Sequence, residues 1–439
     1  MKPQQPVSGF SKMSREEKVE WLINQSAQPG KLRGEIRSHL HPDPARQQVY
    51  EEFSENTVSN FFIPYGIAPN FLINNEMITV PLAIEESSVV AAASHAARFW
   101  SAHGGFHARV IDTLKIGQVH FTWTGPANKL QTLFDKEKKQ LLEKLDPLTE
   151  RMRSRGGGIS EMELVDRTGT LDHYYQLHVS FHTADAMGAN FINSVLEELA
   201  QHWKALVDNA TGGSGEGELT IIMAILSNYT PESRVEVYVE TPADNLQPLA
   251  KEMPAATFAQ KFVRAVEIAR NDTYRAVTHN KGIFNGMDAV VIATGNDFRA
   301  VEACGHAYAA RDGMYRGLSE ATLQNGIFRF TLDVPLAVGT VGGLTSNHPM
   351  ARQSMGIMNN PDAPKLMKII AAAGLANNFS AVRSLVTSGI QQGHMKMHLA
   401  NILRQLGAGE EEKDQAILYF KDKTVSHHAV KEFLDNLKK

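Results

Sequence analysis

Two glycine clusters divide this chain and limit how its segments can connect. Gly156-Gly157-Gly158 is a hard turn, and the run GGSGEGE at 212–218 closes the segment that follows. Around them lie strand-like text at 107–124, a long charged helical pattern at 128–154 that Pro147 bends or interrupts, a strand from Tyr175 to Phe181, and a helix beginning near Ala189. This alternation predicts a βαβ-like insert. We read it as a small domain set into a larger one, because the polar, glycine-punctuated segments around Glu86 and Lys281 lie on either side of it and need one another.

The flanking text predicts the larger body. Residues 12–26 form a short amphipathic helix with Ser14 as its cap ahead of Glu16 and Glu17. From Asn60 to Val80 the text is β-like, with Phe61, Phe62, Ile63, Phe71, Leu72 and Ile73 broken by Pro64, Pro69 and Asn74-Asn75. A helix follows at 88–101 and ends before Gly104-Gly105. Further on we expect helix 255–270, strand 288–294, helix 298–311, strand 325–335 and helix 363–376. After Gln391 the tail is helical and charged, with glycines at 389, 393, 407 and 409 as hinges. No internal repeat is present.

At 439 residues the chain can hold two or three domains and a large core. Its net charge of -4 gives no global reason to expect nucleic acid or an anionic membrane as partner, so an anionic ligand needs a local basic site. One cysteine, Cys304, excludes an internal disulfide framework and a cysteine-rich metal cluster. No signal-peptide core opens the chain and no uninterrupted apolar run approaches the roughly 20 residues of a membrane span. The expectation is a soluble, cytoplasmic protein.

Several segments carry candidate chemistry, each beside a plainer reading. Glu85 and Glu86 precede a helix and suit its dipole, whereas Glu86 as a general acid would require burial. Lys281 in HNKGIFNG is read as a loop lysine, either solvated or placed with amides and glycines for close approach to a ligand. Arg275 could hold a carboxylate in bidentate fashion. Asp297 opens a helix and could be only its N-cap, or a carboxylate beside Lys281. His394 and His398 share a helical face, but no HExxH glutamate or third ligand supports zinc, and the hinged tail allows His394 as a mobile acid.

DAMGAN (185–190) joins strand to helix, as a tight turn or as a pyrophosphate site on free amides. Arg151, Arg153 and Arg155 are a solvated face or a phosphate receptor. VGTVGGLT (338–345) is a second glycine-rich turn. No G-x-G-x-x-G fingerprint occurs.

Taken in order, EESSVVAAAS, DAMGAN, RAVTHNKGIFNG, ATGNDFRAVEA, VGTVGGLT and SGIQQGHMKMH resemble the soluble bacterial (class II) hydroxymethylglutaryl-CoA reductases over nearly the whole chain. The resemblance implies an α+β fold. Its parts would be a large domain that binds CoA and forms the dimer (1–108 and 220–390), an inserted small non-Rossmann, ferredoxin-like cofactor domain (109–219), and a C-terminal helical flap (391–439). It implies reduction of the thioester to mevalonate with two hydrides from a nicotinamide cofactor, in a homodimer or higher homo-oligomer.

By the same carry-over, Glu86 is the acid, Lys281 stabilises the oxyanion, Asp297 couples the two, and His394 protonates the departing CoA thiolate. Arg275, Ser88, Asn228 and Asn285 would surround the substrate; Asp185, Met187, Gly188 and Asn190 would meet the cofactor. No metal is implied. The same site run as mevalonate oxidation, or a non-redox acyl-CoA binder or thioesterase, are the competing readings.

The chain departs from the family's pattern in ENTVS (55–59), in Ser87 where proline is usual, and in Leu344 where a small residue is usual. Members that use NADH carry an aspartate for the ribose hydroxyl where this chain has Thr149. With Thr149 uncharged and Arg151 and Arg153 close by, NADPH is expected over NADH.

Overall fold

The computed structural model describes residues 6–212, 217–387, 399–420, 423 and 425–437. Three short helices come first: α1 (Arg15–Gln25), α2 (Pro29–Ser38) and α3 (Pro44–Glu51). Ser14 caps α1 in a reciprocal capping box with Glu17. Strands β1 (Tyr65–Ile73) and β2 (Glu76–Ala83) pair as an antiparallel hairpin. Asn74 and Asn75 both adopt positive φ in its two-residue turn, a conformation asparagine tolerates. The aromatic run Phe61–Ile63 lies outside β1, contrary to the β-like reading, and Phe61 is 92% exposed. After helix α4 (Ser87–Ser101), strand β3 (His107–Asp112) leads out of the large body.

The insert runs β4 (Lys115–Trp123), α5 (Ala127–Arg153), β5 (Gly158–Asp166), β6 (Tyr174–His182), α6 (Ala189–Thr211) and β7 (Leu219–Ser227). Its four strands form one antiparallel sheet in the order β5-β6-β4-β7. Leu130, Phe134, Leu141 and Leu145 of α5 and Val195, Leu199 and Trp203 of α6 pack with Val119, Phe121, Leu177 and Val179 in a core of their own. Pro147 does not interrupt α5; Thr149 Oγ1 and Arg153 Nη2 both donate to the Asp146 carbonyl nearby.

Pairing moves the expected domain boundaries. β3 bonds to the large sheet, so the chain enters the insert only after Asp112. β7 bonds to β4, so the insert continues to Ser227 rather than ending at 219.

The return strand β8 (Arg234–Pro242) joins β3, β9 (Ser319–Gln324) and β10 (Ile327–Pro335) in the second antiparallel sheet, ordered β3-β8-β10-β9. Helices α7 (Ala255–Asn271), α8 (Thr273–Ala293), α9 (Phe298–Ala309), α10 (Gly343–Asn347), α11 (Pro349–Ile357) and α12 (Ala363–Val386) complete the large body. Residues 399–405 (α13), α14 (Glu410–Tyr419) and α15 (His427–Leu437) share a separate small core of Leu399, Leu403, Phe420, Val430 and Leu434.

The expected loop at Lys281 and strand at 288–294 are instead one helix, α8, of 21 residues. Asp272 caps it through the Arg275 N–H. Gly286 serves helix contact rather than a ligand. A Cβ on Gly286 would stand 2.3 Å from the Ala373 carbonyl oxygen of α12, and one on Gly374 would stand 2.6 Å from Met287 Cγ. Two glycines therefore face each other's helix at the crossing. α12 itself is long and apolar enough to span a membrane, but it is the packed centre of the large core.

Candidate active site

Glu86 ends the connection from β2 and is the N-cap residue of α4, yet its side chain caps nothing. The carboxylate instead meets α8. Lys281 Nζ donates to Glu86 Oε2 at 2.6 Å, Asn285 Nδ2 donates to the same oxygen at 3.3 Å, and Ser88 Oγ donates to Oε1 at 3.2 Å. Asn285 lies one helical turn beyond Lys281, so both reach the carboxylate from one face of α8. The Lys281 side chain is 60% exposed and that of Glu86 34% exposed, so the pair is open to a ligand. The burial expected of an acidic Glu86 is not present in this chain. Its carboxylate is ordered by donors.

α8 is fastened from behind. His279 Nε2 lies 2.5 Å from Ser319 Oγ, which donates to Asn378 Oδ1 at 2.8 Å. Asn280 donates to the Arg316 carbonyl and accepts from the Leu318 N–H. Burial, with a lesser contribution from Arg275, pushes the His279 pKa down to about 3. His279 and Asn280 are thus interior anchors for the helix that carries Lys281. Arg275 occupies the first turn of α8, half-buried, and makes no ion pair among the described residues.

Asp297 does not join the Glu86–Lys281 pair. It caps α9, accepting from the Arg299 and Ala300 N–H groups, and the Arg299 guanidinium grips both its oxygens at 3.0 and 3.1 Å. Burial opposes ionisation, but Arg299 and the backbone donors outweigh it and hold the carboxyl below its usual range. The plain N-cap reading is the observed one here, and the expected contact with Lys281 is absent. His394 and His398 lie outside the described residues.

Three loops that seemed separate in sequence form one stack. Thr340 N donates to the Asp185 carbonyl, Gly339 N donates to Asn296 Oδ1, and a Cβ on Gly339 would stand 2.4 Å from Met187 N. Thr345 Oγ1 reaches the Gly295 carbonyl. Gly339 therefore binds the DAMGAN loop to the residues just before Asp297. Gly188, at φ 91°, is the N-cap of α6, and no side chain caps the helix start. Asn190 lies exposed in the first turn. The Asp185 carboxylate is partly committed, accepting from the Ala363 N–H at the start of α12.

The arginine cluster lies at the same edge. Gly158 pairs with His182, the last residue of β6, and a Cβ on Gly157 would stand 2.5 Å from the His182 carbonyl oxygen. Arg151, Arg153 and Arg155 are exposed there, with Arg153 tied to Asp146 at 3.0 Å. Thr149 is a correction. It is 3% exposed with its hydroxyl bonded to Asp146, so it faces the domain interior and not a ribose.

Two features escaped the sequence reading. His95 and Arg98 follow Ser88 on α4, and Arg383 of α12 lies with Nη1 3.1 Å from His95 Nε2. Burial lowers the pKa of His95 and of Arg383, Arg383 and then Arg98 add to the effect at His95, and no carboxylate pairs with Arg383 among the described residues. The spacing of His95 and Arg98 along one helix was the available signal. The second is Lys115, almost fully buried in a narrow pocket with Met187 and Asn228.

Comparison with known proteins agrees across nearly the full length. The family model for hydroxymethylglutaryl-coenzyme A reductase matches residues 15–399. The chain is 33% identical to the 3-hydroxy-3-methylglutaryl-coenzyme A reductase of Archaeoglobus fulgidus, covering 98% of this chain and 94% of the relative. It is 32% identical to a probable reductase of the same name from Borreliella burgdorferi, over 88% of each. Among solved structures it is similar to the class II enzyme of Streptococcus pneumoniae bound to NADPH in open conformations. That match has a TM-score of 0.71 and 34% identity, covering 97% of this chain and 100% of the other.

Proposed function

The chain belongs to the hydroxymethylglutaryl-coenzyme A reductase family and is an enzyme of that activity, and from this premise we propose that Glu86, Lys281, Asp297 and His394 carry its chemistry. The observation that supports this most directly is the 2.6 Å contact between Lys281 Nζ and Glu86 Oε2. The two-step reduction converts the thioester to a hemithioacetal, releases CoA to leave mevaldehyde, and ends at mevalonate. Negative charge forms on the carbonyl oxygen in each reduction. Lys281 offers a fixed cationic donor for it, and such a donor is worth about 10²–10³ in rate. Glu86, held by Lys281, Asn285 and Ser88, relays the proton that the new hydroxyl requires.

Asp297 enters this scheme by exchanging Arg299 for Lys281. The Arg299 side chain is 77% exposed, and an exposed ion pair is worth only about 0–1 kcal/mol, so releasing Arg299 costs little. His394 protonates the thiolate, whose free pKa of about 8.5 suits an imidazole near neutrality. Arg275, Ser88, Asn228 and Asn285 are assigned to the acyl group, with Arg275, which feels Asp272 but forms no ion pair among the described residues, placed to meet its carboxylate. His95 and Arg98 lie about 10 and about 15 Å along α4 from Ser88, with Arg383 beside His95. This cluster is assigned to the phosphates of CoA.

NADPH is the cofactor assigned to the inserted βαββαβ unit, whose split βαβ order is ferredoxin-like. The residues fit it. Gly188 accepts no Cβ beside Thr183, and the uncapped start of α6 leaves backbone donors for a pyrophosphate. Met187 and Asn190 flank that start, and Arg151 and Arg153 are placed for a 2′-phosphate, with Thr149 withdrawn from the set. Each NADPH would supply one hydride when bound, so two are consumed in turn for each thioester reduced.

A homodimer is the assigned assembly. Tyr274, 92% exposed, and Val277 lie on the Lys281 face of α8, and an exposed apolar surface beside a site is the mark of a partner. Size-exclusion chromatography with light scattering checks this, and a monomer at assay concentration would contradict it. The activity itself is tested by following NADPH consumption with the thioester and detecting free CoA in proportion. Thioester hydrolysis without NADPH consumption would contradict the assignment.

A further inference from the structure

Lys115 occupies a place where an apolar residue would be expected. In β4 alternate residues share a face, and Val119, Phe121 and Trp123 turn into the core of the insert. A Cβ on Gly117 would stand 2.5 Å from Leu196 Cδ1 and 2.9 Å from Ile192 Cγ2, so this face lies directly under α6. Lys115 is next in that series and only 4% exposed. Its ammonium has one long hydrogen bond, 3.3 Å to the Thr113 carbonyl. A buried ammonium requires acceptors, and its remaining donors have none among the described residues.

The pocket it lines is shared with Met187 and Ala189 at the start of α6 and with Asn228 and Ala300. Lys115 is the sole ionisable residue in that lining. The uncapped end of α6 adds positive potential of its own. Two like-signed features border one narrow space, and neither relieves the other. An anion drawn to its mouth relieves both.

We infer that Lys115 is a cofactor-binding residue whose ammonium takes a pyrophosphate oxygen of the dinucleotide seated at the start of α6. This rests on the placement of the cofactor proposed above and adds a residue to it. Burial lowers the pKa of the free lysine to about 8, and Asp112 is the one charge that opposes this. A bound phosphate favours the charged form. Affinity therefore falls as pH rises through about 8, because the free protein loses the proton that binding needs.

The test is calorimetric titration of NADPH and of NADH into the wild type and into Lys115→Met and Lys115→Arg, at pH near 7 and near 9, beside steady-state assays. Lys115→Met should raise the Kd of both nucleotides about 10- to 100-fold and remove the pH dependence. The KM for the thioester should move less than about threefold, and Lys115→Arg should restore most of the affinity. Thermal unfolding of Lys115→Met should match or exceed the wild type, since an apolar side chain replaces a buried charge. Wild-type affinity in Lys115→Met overturns the inference. So does a loss confined to NADPH, which would place the lysine at the 2′-phosphate, or a loss confined to the KM of the thioester. Wild-type protein that binds neither nucleotide overturns the cofactor site itself, and this inference with it.

Discussion

Lys281 donates to Glu86 across 2.6 Å although 195 positions separate them in the chain. The fold closes that distance by packing α4 and α8 against the same central helix, α12. The whole small domain is inserted between the two residues, so the site assembles only when both halves of the large domain have folded together. Its geometry is a tertiary product, and changes at the helix crossings should reach it.

Replacing Gly286 with alanine tests this. The new Cβ would meet the Ala373 carbonyl oxygen at 2.3 Å, backbone that cannot swing aside. Overpacking of this kind costs about 1–3 kcal/mol. Chemical denaturation should show that loss, and turnover should fall with it as α8 is pushed from Glu86. Gly282→Ala, whose nearest neighbours are 3.9 Å away, should be close to neutral in stability.

Asp288, two turns beyond Lys281, gives a pH prediction. Burial first, and then Glu302 beside it, raise its pKa far above that of an ordinary carboxyl, and its Oδ1 has no hydrogen-bond partner among the described residues. The folded state keeps a proton that the unfolded chain releases above about pH 4. This group's contribution is complete below that pH and is lost as pH rises toward the folded value. Asp288→Asn should therefore stabilise the protein increasingly with pH, by at most about 1.4 kcal/mol per unit. Denaturation midpoints near pH 5 and pH 8 check it, and equal effects at both would contradict it.

Asp297 and Arg299 separate catalysis from capping. Arg299→Ala should leave turnover within about threefold, since the exposed guanidinium holds Asp297 only at rest. Asp297→Asn should keep a helix cap yet lose about 10²-fold or more in kcat if the carboxylate serves Lys281. Steady-state kinetics of the two variants decide it. Full activity in Asp297→Asn would leave the residue a cap alone.

His394→Gln should impair reduction of the thioester far more than reduction of free mevaldehyde, which has no thiolate to expel. Parallel assays on the two substrates measure this. Equal losses would contradict the assigned proton donor.

Much of this was legible in the residues, and the failures have physical causes. Glu86, Ser88, Lys281 and Asn285 were named from motifs, and the structure brings all four together. The segment 288–294 was misread because Ala289, Val290 and Val291 are all buried, which makes a helix surrounded by neighbours look like a core strand. Thr149 stands at the expected distance before the triple glycine, but distance along a helix does not show which way its face turns. Lys115 left no trace because one lysine between Leu114 and Ile116 breaks no pattern. Its meaning depends on α6 lying over it.

The central claim is that Lys281, tied to Glu86, receives the charge formed in both reductions. The most direct measurement is kcat for Lys281→Ala with the thioester and NADPH, beside circular dichroism of the same sample. We predict a loss of at least about 10²–10³-fold with an unchanged fold. Wild-type turnover from a folded Lys281→Ala would contradict the account.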